Sequence, residues 1–401
     1  MARFAPRLLA VSTPGHAERE LQRIGVDRCG IVEISSKMGT LCVALSRLEC
    51  RQANILKQEM LSLGGDAAVA RGTVACSIDR TDCILIGTAK QLARLCRKLK
   101  AQPFGLPELA GELHQLLARV DAAPSGWKTS RRTLSLQRPL IMGILNLTPD
   151  SFSDGGLCSD PDRAVERALQ MASEGADIID IGGESTRPGA AAVPADEELA
   201  RIMPVIERLA GTLTCAISVD TWKSAVAARA VAAGAEIIND ISGFNFDPQM
   251  AGLAAESGAG VVLMHTRGRP EDMQQDTEYD DLMADVVAGL GRSLERARET
   301  GVSDPCIALD PGIGFGKSVS GNLELIRRLG ELSGFGLPIL CGPSRKSFIG
   351  TVLGRQQTDD RLFGTAAAVA LSVSHGASIL RVHDVRAMRD VADMAYAVMH
   401  S

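Results

Sequence analysis

The chain has 401 residues, more than one hydrophobic core usually holds, so a large domain of about 250 residues plus a smaller one is expected. Apolar residues make up 45% of the chain and charged residues 23%, which are ordinary values for a globular protein. The formal net charge of -5 leaves no basic excess, which disfavours a nucleic-acid-binding role.

The cysteines and apolar runs indicate a reducing, aqueous compartment. Ten cysteines are spread along the chain without one C-x-x-C pair, so neither a zinc ribbon nor a thioredoxin-type redox site is indicated. No apolar run approaches the ~18 residues that crossing a bilayer requires. The sequence therefore predicts a cytoplasmic protein with reduced thiols.

The first third of the chain mixes strand-like and helical patterns. Strand candidates are LCVALSRL (41–48), GTVACSI (72–78) and CILIGT (83–88), and helical candidates are ANILKQEMLSLGG (53–65), AKQLARLCRKL (89–99) and LPELAGELHQLLARV (106–120). Residues 1–125 are predicted to form a small mixed α/β accessory domain, and no catalytic spacing within it reveals its role. Because DAAPSGWKTSRRT (121–133) has the Pro, Ser, Gly and charge content of a connection, a linker is predicted at 126–136.

Beyond the linker, short apolar runs alternate regularly with amphipathic helical patterns, which is typical of repeated βα units. The strand candidates cover 139–147, 176–183, 215–220, 236–242, 260–265, 306–312, 338–344 and 378–384. Several helical stretches close on glycines, at positions 175, 234, 301 and 376. Eight units favour a closed (β/α)8 TIM barrel over 137–401, with an open doubly wound sheet as the minor alternative.

Polar residues lie at or just after the end of every strand candidate, and in a barrel these strand ends form one circle around the active site. They are Asn146, Glu184 to Arg187, Asp220, Asn239, Asp240, Met264 with His265, Asp310, Ser344 to Ser347, Arg381 and His383. An Asp or Asn at such a place often caps the next helix instead, and Asp220 is the best candidate for that ordinary role. A cap does not explain Asp310 or Asn239, because no helix begins directly after them.

Two kinds of side chain stand out among the strand ends. Basic groups at Arg345-Lys346 and at Arg381 and His383 follow the last two strands, where barrels commonly bind phosphate, so they suggest an anion. The acceptors and amide of Asp220, Asn239 and Asp310 suit a flat heterocycle rich in N–H groups. The nearby segment 312–318 resembles a phosphate-binding P-loop only superficially, because Pro311 occupies the position of its first glycine. Its glycines are predicted to let the loop pass close to a ligand.

Eight segments resemble the dihydropteroate synthase family in order and spacing. GILNLTPDSFSDGG (143–156) and ADIIDIGGESTRPGA (176–190) are similar to its two signature segments, followed by VDTWKS (219–224), INDISG (238–243), VLMH (262–265), LDPGIGFGK (309–317), GPSRKSFIG (342–350) and LRVHDV (380–385). The resemblance covers 139–398, and only ANILKQEMLSLGGDAA and QPFGLPELA extend it weakly toward the start. It implies the condensation of 6-hydroxymethyl-7,8-dihydropterin pyrophosphate with p-aminobenzoate, which gives 7,8-dihydropteroate and pyrophosphate in folate biosynthesis.

The resemblance also assigns roles to individual positions. Pterin-binding residues would be Asp220, Asn239, Ile241, Met264, Asp310, Phe315, Lys346 and Arg381. Pyrophosphate would be held by Asn146, Arg381 and His383, with Mg²⁺ on Asn146, and p-aminobenzoate by Phe152, Thr186, Arg187, Pro188, Lys346 and Ser347. The catalytic residues would be Asp220, Lys346, Arg381 and His383. The polar, Gly-rich segment 148–156 has the composition of a mobile lid, with Asp154 as a secondary candidate, and a homodimer is expected from the family.

Two other functions compete with this one. A pterin-dependent methyltransferase of the same barrel family also binds a pterin through Asp and Asn, but it needs neither the S-x-T-R-P loop nor a pyrophosphate site. The presence of Arg187, Lys346, Arg381 and His383 argues against it. A non-catalytic pterin-binding protein would be expected to have lost Asn146 or the basic residues, and all of them are retained.

Overall fold

A computed structural model describes residues 7–11, 14–148 and 160–401. The chain divides into two compact units, Met1–Ala122 and Ala123–Ser401. No helix within the described ranges is long and apolar enough to cross a membrane.

The first unit packs helices against a three-stranded antiparallel sheet. Its elements are α1 (Pro14–Arg23), α2 (Arg28–Ser35), β1 (Leu41–Glu49), α3 (Cys50–Ser62), β2 (Asp66–Val69), β3 (Arg80–Gly87), α4 (Ala89–Leu99) and α5 (Leu106–Asp121), with the strand order β1-β3-β2. Alternate residues of β3, such as Cys83 and Leu85, face the buried side chains of α3 and α4. The strand predicted at 72–78 is wrong, because Cys76 and Ser77 donate backbone hydrogen bonds to Thr73 and Gly72 and thereby close turns.

The segment predicted as a linker, 126–136, instead forms a hairpin of β4 (Gly126–Lys128) and β5 (Thr133–Ser135). Trp127 is fully buried against residues at the amino ends of the later strands, and its Nε1 donates to the carbonyl of Cys306 at 2.9 Å. Thr129 and Arg132 both donate to the buried carboxylate of Glu236. The composition of a flexible connection therefore concealed an aromatic anchor that belongs to the second unit.

Eight parallel strands form the second unit, which confirms the predicted (β/α)8 barrel. They are β6 (Leu140–Asn146), β7 (Ile178–Gly182), β8 (Ala216–Asp220), β9 (Ile237–Asp240), β10 (Gly260–Met264), β11 (Ile307–Asp310), β12 (Leu340–Cys341) and β13 (Ile379–Val382). Neighbours pair in the order β11-β10-β9-β8-β7-β6-β13-β12. A parallel bridge between Leu309 and Ile339 joins the two ends of this order, so the sheet closes and the open-sheet alternative is wrong.

Helices surround the barrel and cover its apolar outer face. They are α6 (Pro161–Ser173), α7 (Ala195–Leu209), α8 (Ser224–Ala233), α9 (Met250–Ser257), α10 (Leu282–Glu299), α11 (Val319–Arg327), α12 (Ser347–Leu353), α13 (Leu362–Ser374) and α14 (Val385–His400). Every residue of β7 to β11 is buried, since side chains fill the interior and helices cover the outside. The four glycines predicted to end helices, at 175, 234, 301 and 376, all have positive φ, which confirms that prediction.

Candidate active site

The barrel brings the predicted polar residues together at the carboxyl ends of its strands. Asn146, Asp220 and Asp310 end β6, β8 and β11, Asn239 lies in β9, and Arg381 lies in β13. Asp220, Asn239 and Asp310 are buried, with 4% to 6% of their surface exposed. A cluster of charges so well screened from water binds a ligand strongly only if each polar group finds a partner.

Asp180, in the middle of β7, organises this cluster. Its Oδ2 accepts hydrogen bonds from Arg381 Nε at 2.6 Å and from Asn239 Nδ2 at 3.0 Å, and its Oδ1 accepts one from Ser218 Oγ at 2.6 Å. The sequence prediction did not include Asp180, because this residue lies in the middle of a strand and the predicted residues lie at strand ends. The signal was present in the sequence, since a carboxylate inside the apolar run IIDIG is rarely buried without a partner.

Asp220 shares Arg381 with Asp180. Arg381 Nη2 donates to Asp220 Oδ2 at 2.5 Å, while the buried Oδ1 of Asp220 has no hydrogen-bond partner among the described residues. Burial raises the pKa of Asp220, and the Arg381 guanidinium opposes that rise. The capping role considered for Asp220 is wrong, because the carboxylate of Asp247 accepts the first N–H of α8, from Ser224, at 2.7 Å.

Lys346 and Asp310 lie close enough to Arg381 for their charges to interact with it. Lys346 Nζ lies 4.6 Å from the centre of the Phe315 ring and donates to the carbonyl of Ile313. Burial lowers the pKa of Lys346 to about 8, an effect that Asp310 partly offsets. Burial raises the pKa of Asp310, whose Oδ1 accepts the N–H of Gly312 at 2.7 Å.

The glycines of 312–318 lie close to protein atoms, and the close approach of this loop to a ligand stays a prediction. A Cβ on Gly312, at φ +72°, would lie 1.9 Å from the carbonyl oxygen of His265, and one on Gly314 would lie 2.8 Å from Lys346 Cδ. The loop thus presses against the end of β10 and against Lys346. Its glycines determine where Lys346 and Phe315 lie.

Apolar side chains form one wall of the pocket. Ile241, Met264 and Phe315, which the resemblance assigned to the pterin, pack in one buried cluster with Met273 and with the half-buried Trp222. Met273 comes from the long segment between β10 and α10, where no periodic pattern drew attention to it. A buried apolar cluster beside hydrogen-bonding groups suits an aromatic or conjugated ring.

Of the basic groups near the last two strands, only part is available to an anion. The guanidinium of Arg345 donates to both carboxylate oxygens of Asp384, at 2.9 and 2.6 Å, so its charge is already paired. Burial, helped by the nearby Arg345, lowers the pKa of His383 to about 3. His383 is therefore a neutral hydrogen-bonding group at pH 7 with protein groups alone around it, whereas the sequence suggested a cation.

Ser344 orients the His383 ring. Its Oγ accepts the backbone N–H of His383 at 3.2 Å and lies 3.0 Å from His383 Nδ1. Since the hydroxyl oxygen accepts the N–H, its hydrogen is free to point at Nδ1, which favours the tautomer with the proton on Nε2. That N–H is the donor that the ring can offer to a ligand.

Asn146 lies beside Asp220 at the end of β6. A Cβ on Gly182 would lie 3.6 Å from Asn146 Oδ1 and 3.7 Å from Asp220 Oδ2, so both oxygens border the same small space. Within the described ranges no three His, Cys, Asp or Glu side chains are arranged to hold a metal. A single amide oxygen is nevertheless suitable for Mg²⁺, which often combines one or two protein oxygens with phosphate oxygens and water.

The residues assigned to p-aminobenzoate lie on the loops. Thr186 is half-buried, Arg187 and Pro188 are exposed after β7, and Ser347 is exposed at the first position of α12. Phe152, Asp154 and the predicted lid from 149 onward lie outside the described residues. Arg187 is close enough to His383 to contribute to its low pKa, so this loop lies near His383.

Lys317 is a second group that the sequence prediction missed. It is buried, and its Nζ donates to the carbonyl of Phe315 at 2.7 Å and lies 3.1 Å from His265 Nδ1. Burial lowers the pKa of Lys317 to about 7 and that of His265 to about 3. Lys317 Nζ also donates to the carbonyl of His265 at 3.3 Å, so it ties the loop that carries Phe315 to the end of β10.

Comparison with known proteins agrees with this geometry. Residues 142–383 match the family described as pterin binding enzyme. The dihydropteroate synthase of Bacillus subtilis is 49% identical over 264 residues, which are 66% of this chain and 90% of that protein. The Yersinia pestis dihydropteroate synthase in a sulfonamide complex and the Xanthomonas albilineans enzyme with 7,8-dihydropteroate share 43% and 38% identity. Their TM-scores are 0.67 and 0.61, and each match covers 69% of this chain and 100% of the other.

Similarity also extends into the first unit. A probable bifunctional folylpolyglutamate synthase/dihydropteroate synthase of Haloferax volcanii is 40% identical over 392 residues, which are 94% of this chain. The chain spans less than half of that relative's length, 46%, and 44% of the similar protein of Halobacterium salinarum. The first unit is therefore shared with these archaeal relatives, while the Bacillus subtilis match is about as long as the barrel unit.

Proposed function

Since this chain belongs to the pterin-binding enzyme family, among the dihydropteroate synthases, we propose that its barrel condenses 6-hydroxymethyl-7,8-dihydropterin pyrophosphate with p-aminobenzoate. One observation carries the proposal. The acceptors of Asp220, Asn239 and Asp310 and the cations Arg381 and Lys346 meet on one rim, next to an apolar wall. A pterin pyrophosphate needs all three features, because it combines a flat ring, several N–H groups and a strongly charged tail.

The pterin ring would lie against Ile241, Met264 and Phe315. Its N–H groups would donate to the partnerless Oδ1 of Asp220 and to Asp310, and Asn239 Oδ1 is the acceptor left when its amide nitrogen donates to Asp180. Lys346 would donate to the ring carbonyl. The pairing with Asp220 Oδ1 would satisfy a buried acceptor that has no partner among the described residues, which is why a ring without a donor at that position would bind poorly.

The pyrophosphate would lie between Asn146, Arg381 and His383. Asn146 would hold Mg²⁺, which would supply positive charge that stabilises the leaving group. Arg381 stays charged because Asp180 and Asp220 flank its guanidinium and raise its pKa. His383 would contribute an N–H donor, and the arriving negative charge would favour protonation of its ring.

The reaction is a substitution at the pterin methylene carbon. The bond from this carbon to the pyrophosphate oxygen breaks, the amine nitrogen of p-aminobenzoate bonds to the carbon, and the amine proton leaves with pyrophosphate. Asp220 and Asp310 lie where positive charge would develop on the pterin, so their carboxylates favour the departure. Because the amine is already nucleophilic, its orientation matters more than a strong base.

The p-aminobenzoate site would be formed by Thr186, Arg187 and Pro188, by Phe152 and by Lys346, with Ser347 at the start of α12 receiving the carboxylate. The Yersinia pestis relative was solved with a sulfonamide drug. Sulfonamides carry an aniline ring like that of p-aminobenzoate, and we therefore propose that they compete for this site in the present chain as well.

The chain is further proposed to act in the cytoplasm as a homodimer. The nine cysteines in the described residues all have free thiols, as a reducing compartment requires. Exposed Leu323, Val352, Leu353 and Leu371 line an apolar groove of about 400 Å³ on α11 to α13, and a second copy would cover this groove. Light scattering that gives twice the chain mass would support the dimer, and a mass equal to one chain would contradict it.

The competing methyltransferase function leaves the basic rim unexplained. Purified protein given both substrates and Mg²⁺ should form 7,8-dihydropteroate and pyrophosphate, identified by mass and by a phosphate assay. Transfer of a methyl group from methyltetrahydrofolate, without pyrophosphate release, would overturn the proposal. Binding of the pterin without any turnover would instead support a non-catalytic role.

A further inference from the structure

A buried group of three charges lies beside the pocket, at the start of the loop after β7. Lys223 Nζ donates to Glu184 Oε2 at 2.8 Å and to Glu198 Oε2 at 2.6 Å. The side chains of Lys223, Glu184 and Glu198 are 12%, 7% and 0% exposed. None of the three belongs to the pterin or pyrophosphate site, so the group needs another explanation.

Stability alone does not account for this triad. Two carboxylates share one ammonium, the Oε1 of Glu198 has no hydrogen-bond partner in the described structure, and burial raises the pKa of Glu198. Apolar side chains of similar size in place of a buried ionic triad are often neutral or stabilising. A role in fixing the position of one member explains the arrangement better.

Glu184 is the member whose position matters, because its other oxygen bonds to the loop. Glu184 Oε1 accepts the backbone N–H of Val193 at 2.7 Å, so one carboxylate ties together the two ends of the segment 184–193. This segment carries Thr186, Arg187 and Pro188. Lys223 therefore holds the carboxylate, and the carboxylate closes the loop.

The middle of the same loop has a second attachment, which leads to the turn that carries Lys223. The N–H of Gly189 donates to the carbonyl of Pro270 at 2.8 Å. The preceding residue, Arg269, places its guanidinium 5.2 Å from the centre of the Trp222 ring and 4.5 Å from that of Phe246. Trp222 and Lys223 are consecutive, so both attachments of the loop lead to the turn between β8 and α8.

We infer that Glu184 is a positioning residue for p-aminobenzoate, held by Lys223, which closes the 184–193 loop so that Thr186, Arg187 and Pro188 enclose that substrate. Neither Glu184 nor Lys223 touches a substrate. The inference rests on the proposed function for its substrate, although the attachment of the loop is independent of it. The turn that holds the loop directly follows Asp220, so the pterin and p-aminobenzoate sites share one support.

Two matched substitutions separate positioning from simple stabilisation. Glu184→Met removes the acceptor for Val193 and leaves Lys223 paired with Glu198, whereas Glu198→Met leaves both Lys223–Glu184 and the loop closure intact. Each variant keeps one neutral buried ion pair, so their losses of stability should be similar. Glu184→Gln, which retains an acceptor oxygen for Val193, serves as the conservative variant.

Amide hydrogen exchange and steady-state kinetics are both measured on the full chain. In Glu184→Met the amides of 189–193 should exchange at least about tenfold faster, and the KM for p-aminobenzoate should rise by about tenfold or more. The KM for the pterin pyrophosphate should change less than about twofold, since that site keeps its contacts. Glu198→Met should match the unsubstituted protein in both readouts, and Glu184→Gln should lie between them.

Three results would overturn the inference. Unchanged exchange at 189–193 in Glu184→Met refutes the closure of the loop, whether or not the protein is an enzyme. Faster exchange with an unchanged KM for p-aminobenzoate refutes the effect on the substrate. Equal effects of Glu184→Met and Glu198→Met mean that the triad acts only through stability. A parent chain that turns over neither substrate refutes the proposed function and the substrate assignment, while the exchange data still decide the closure.

Discussion

Asp180 offers the sharpest test of how the pocket is organised. Three donors converge on its fully buried carboxylate, two of them at 2.6 Å, and one of these is the guanidinium of Arg381. In Asp180→Asn the new amide group would face Ser218, whose hydroxyl can also accept, and the remaining oxygen would still face Arg381 and Asn239. The geometry is retained, and the negative charge is lost.

The expected fall in kcat/KM follows from the loss of this negative charge. Replacing a charged acceptor by a neutral one roughly halves the strength of each hydrogen bond, so the two bonds to Oδ2 together lose about 1.5–3 kcal/mol. If the loss is fully expressed in the transition state, kcat/KM falls about 10- to 100-fold, because 1.4 kcal/mol corresponds to about a factor of ten. Urea unfolding measures the change in stability, and the pyrophosphate-release assay measures the change in kcat/KM.

Ser218→Ala is the matched control for this substitution. It removes only the bond to Asp180 Oδ1 and leaves the charge beside Arg381, so about 1.5–3 kcal/mol of stability but less than about fivefold in kcat/KM should be lost. Near-normal kcat/KM in Asp180→Asn, or an equal loss of kcat/KM in the two variants, would refute the view that the charge of Asp180 holds Arg381 in position.

Three further predictions concern pH, metal and the two units. Burial lowers the pKa of Lys346 to about 8, so its charged form is lost as pH rises through 8 and kcat/KM should fall above that pH. If the fall persists in Lys317→Met, it belongs to Lys346. A kcat/KM that stays constant up to about pH 9.5 would contradict the prediction. Chelation by EDTA should abolish turnover and added Mg²⁺ should restore it, whereas full activity in EDTA would refute the role of Asn146. The fragment 123–401 should fold and catalyse the reaction. The fragment 137–401 lacks the buried Trp127, so its free energy of unfolding should be about 3–5 kcal/mol lower. Equal stability of the two fragments would show that the hairpin is dispensable.

The barrel was predictable because its sequence pattern repeats. Each βα unit carries the same alternation of a short apolar run and an amphipathic helix, and the glycines at 175, 234, 301 and 376 end helices as expected. The hairpin at 126–135 was not predictable, because Trp127 is a single aromatic residue among turn-forming ones. Its burial depends on strands that come much later in the chain.

The site residues were predictable where their place at a strand end brings them together, and less so where their charge state depends on a neighbouring side chain. Asn146, Asp220 and Asp310 end strands, so the parallel barrel brings them together whatever their separation in sequence. The pairing of Arg345 with Asp384, by contrast, is visible only in three dimensions, and it removes a cation from the expected anion site. The neutrality of His383 likewise depends on burial and on the neighbouring Arg345, neither of which a sequence pattern reports.

The rate of pyrophosphate release tests most directly whether the barrel joins the two substrates at this rim. Release should require the pterin pyrophosphate and p-aminobenzoate together and should match dihydropteroate formation one to one. It should disappear in Arg381→Ala, which removes the cation that Asp180 and Asp220 hold. Release that continues without p-aminobenzoate, or that persists at the normal rate in Arg381→Ala, would contradict the account.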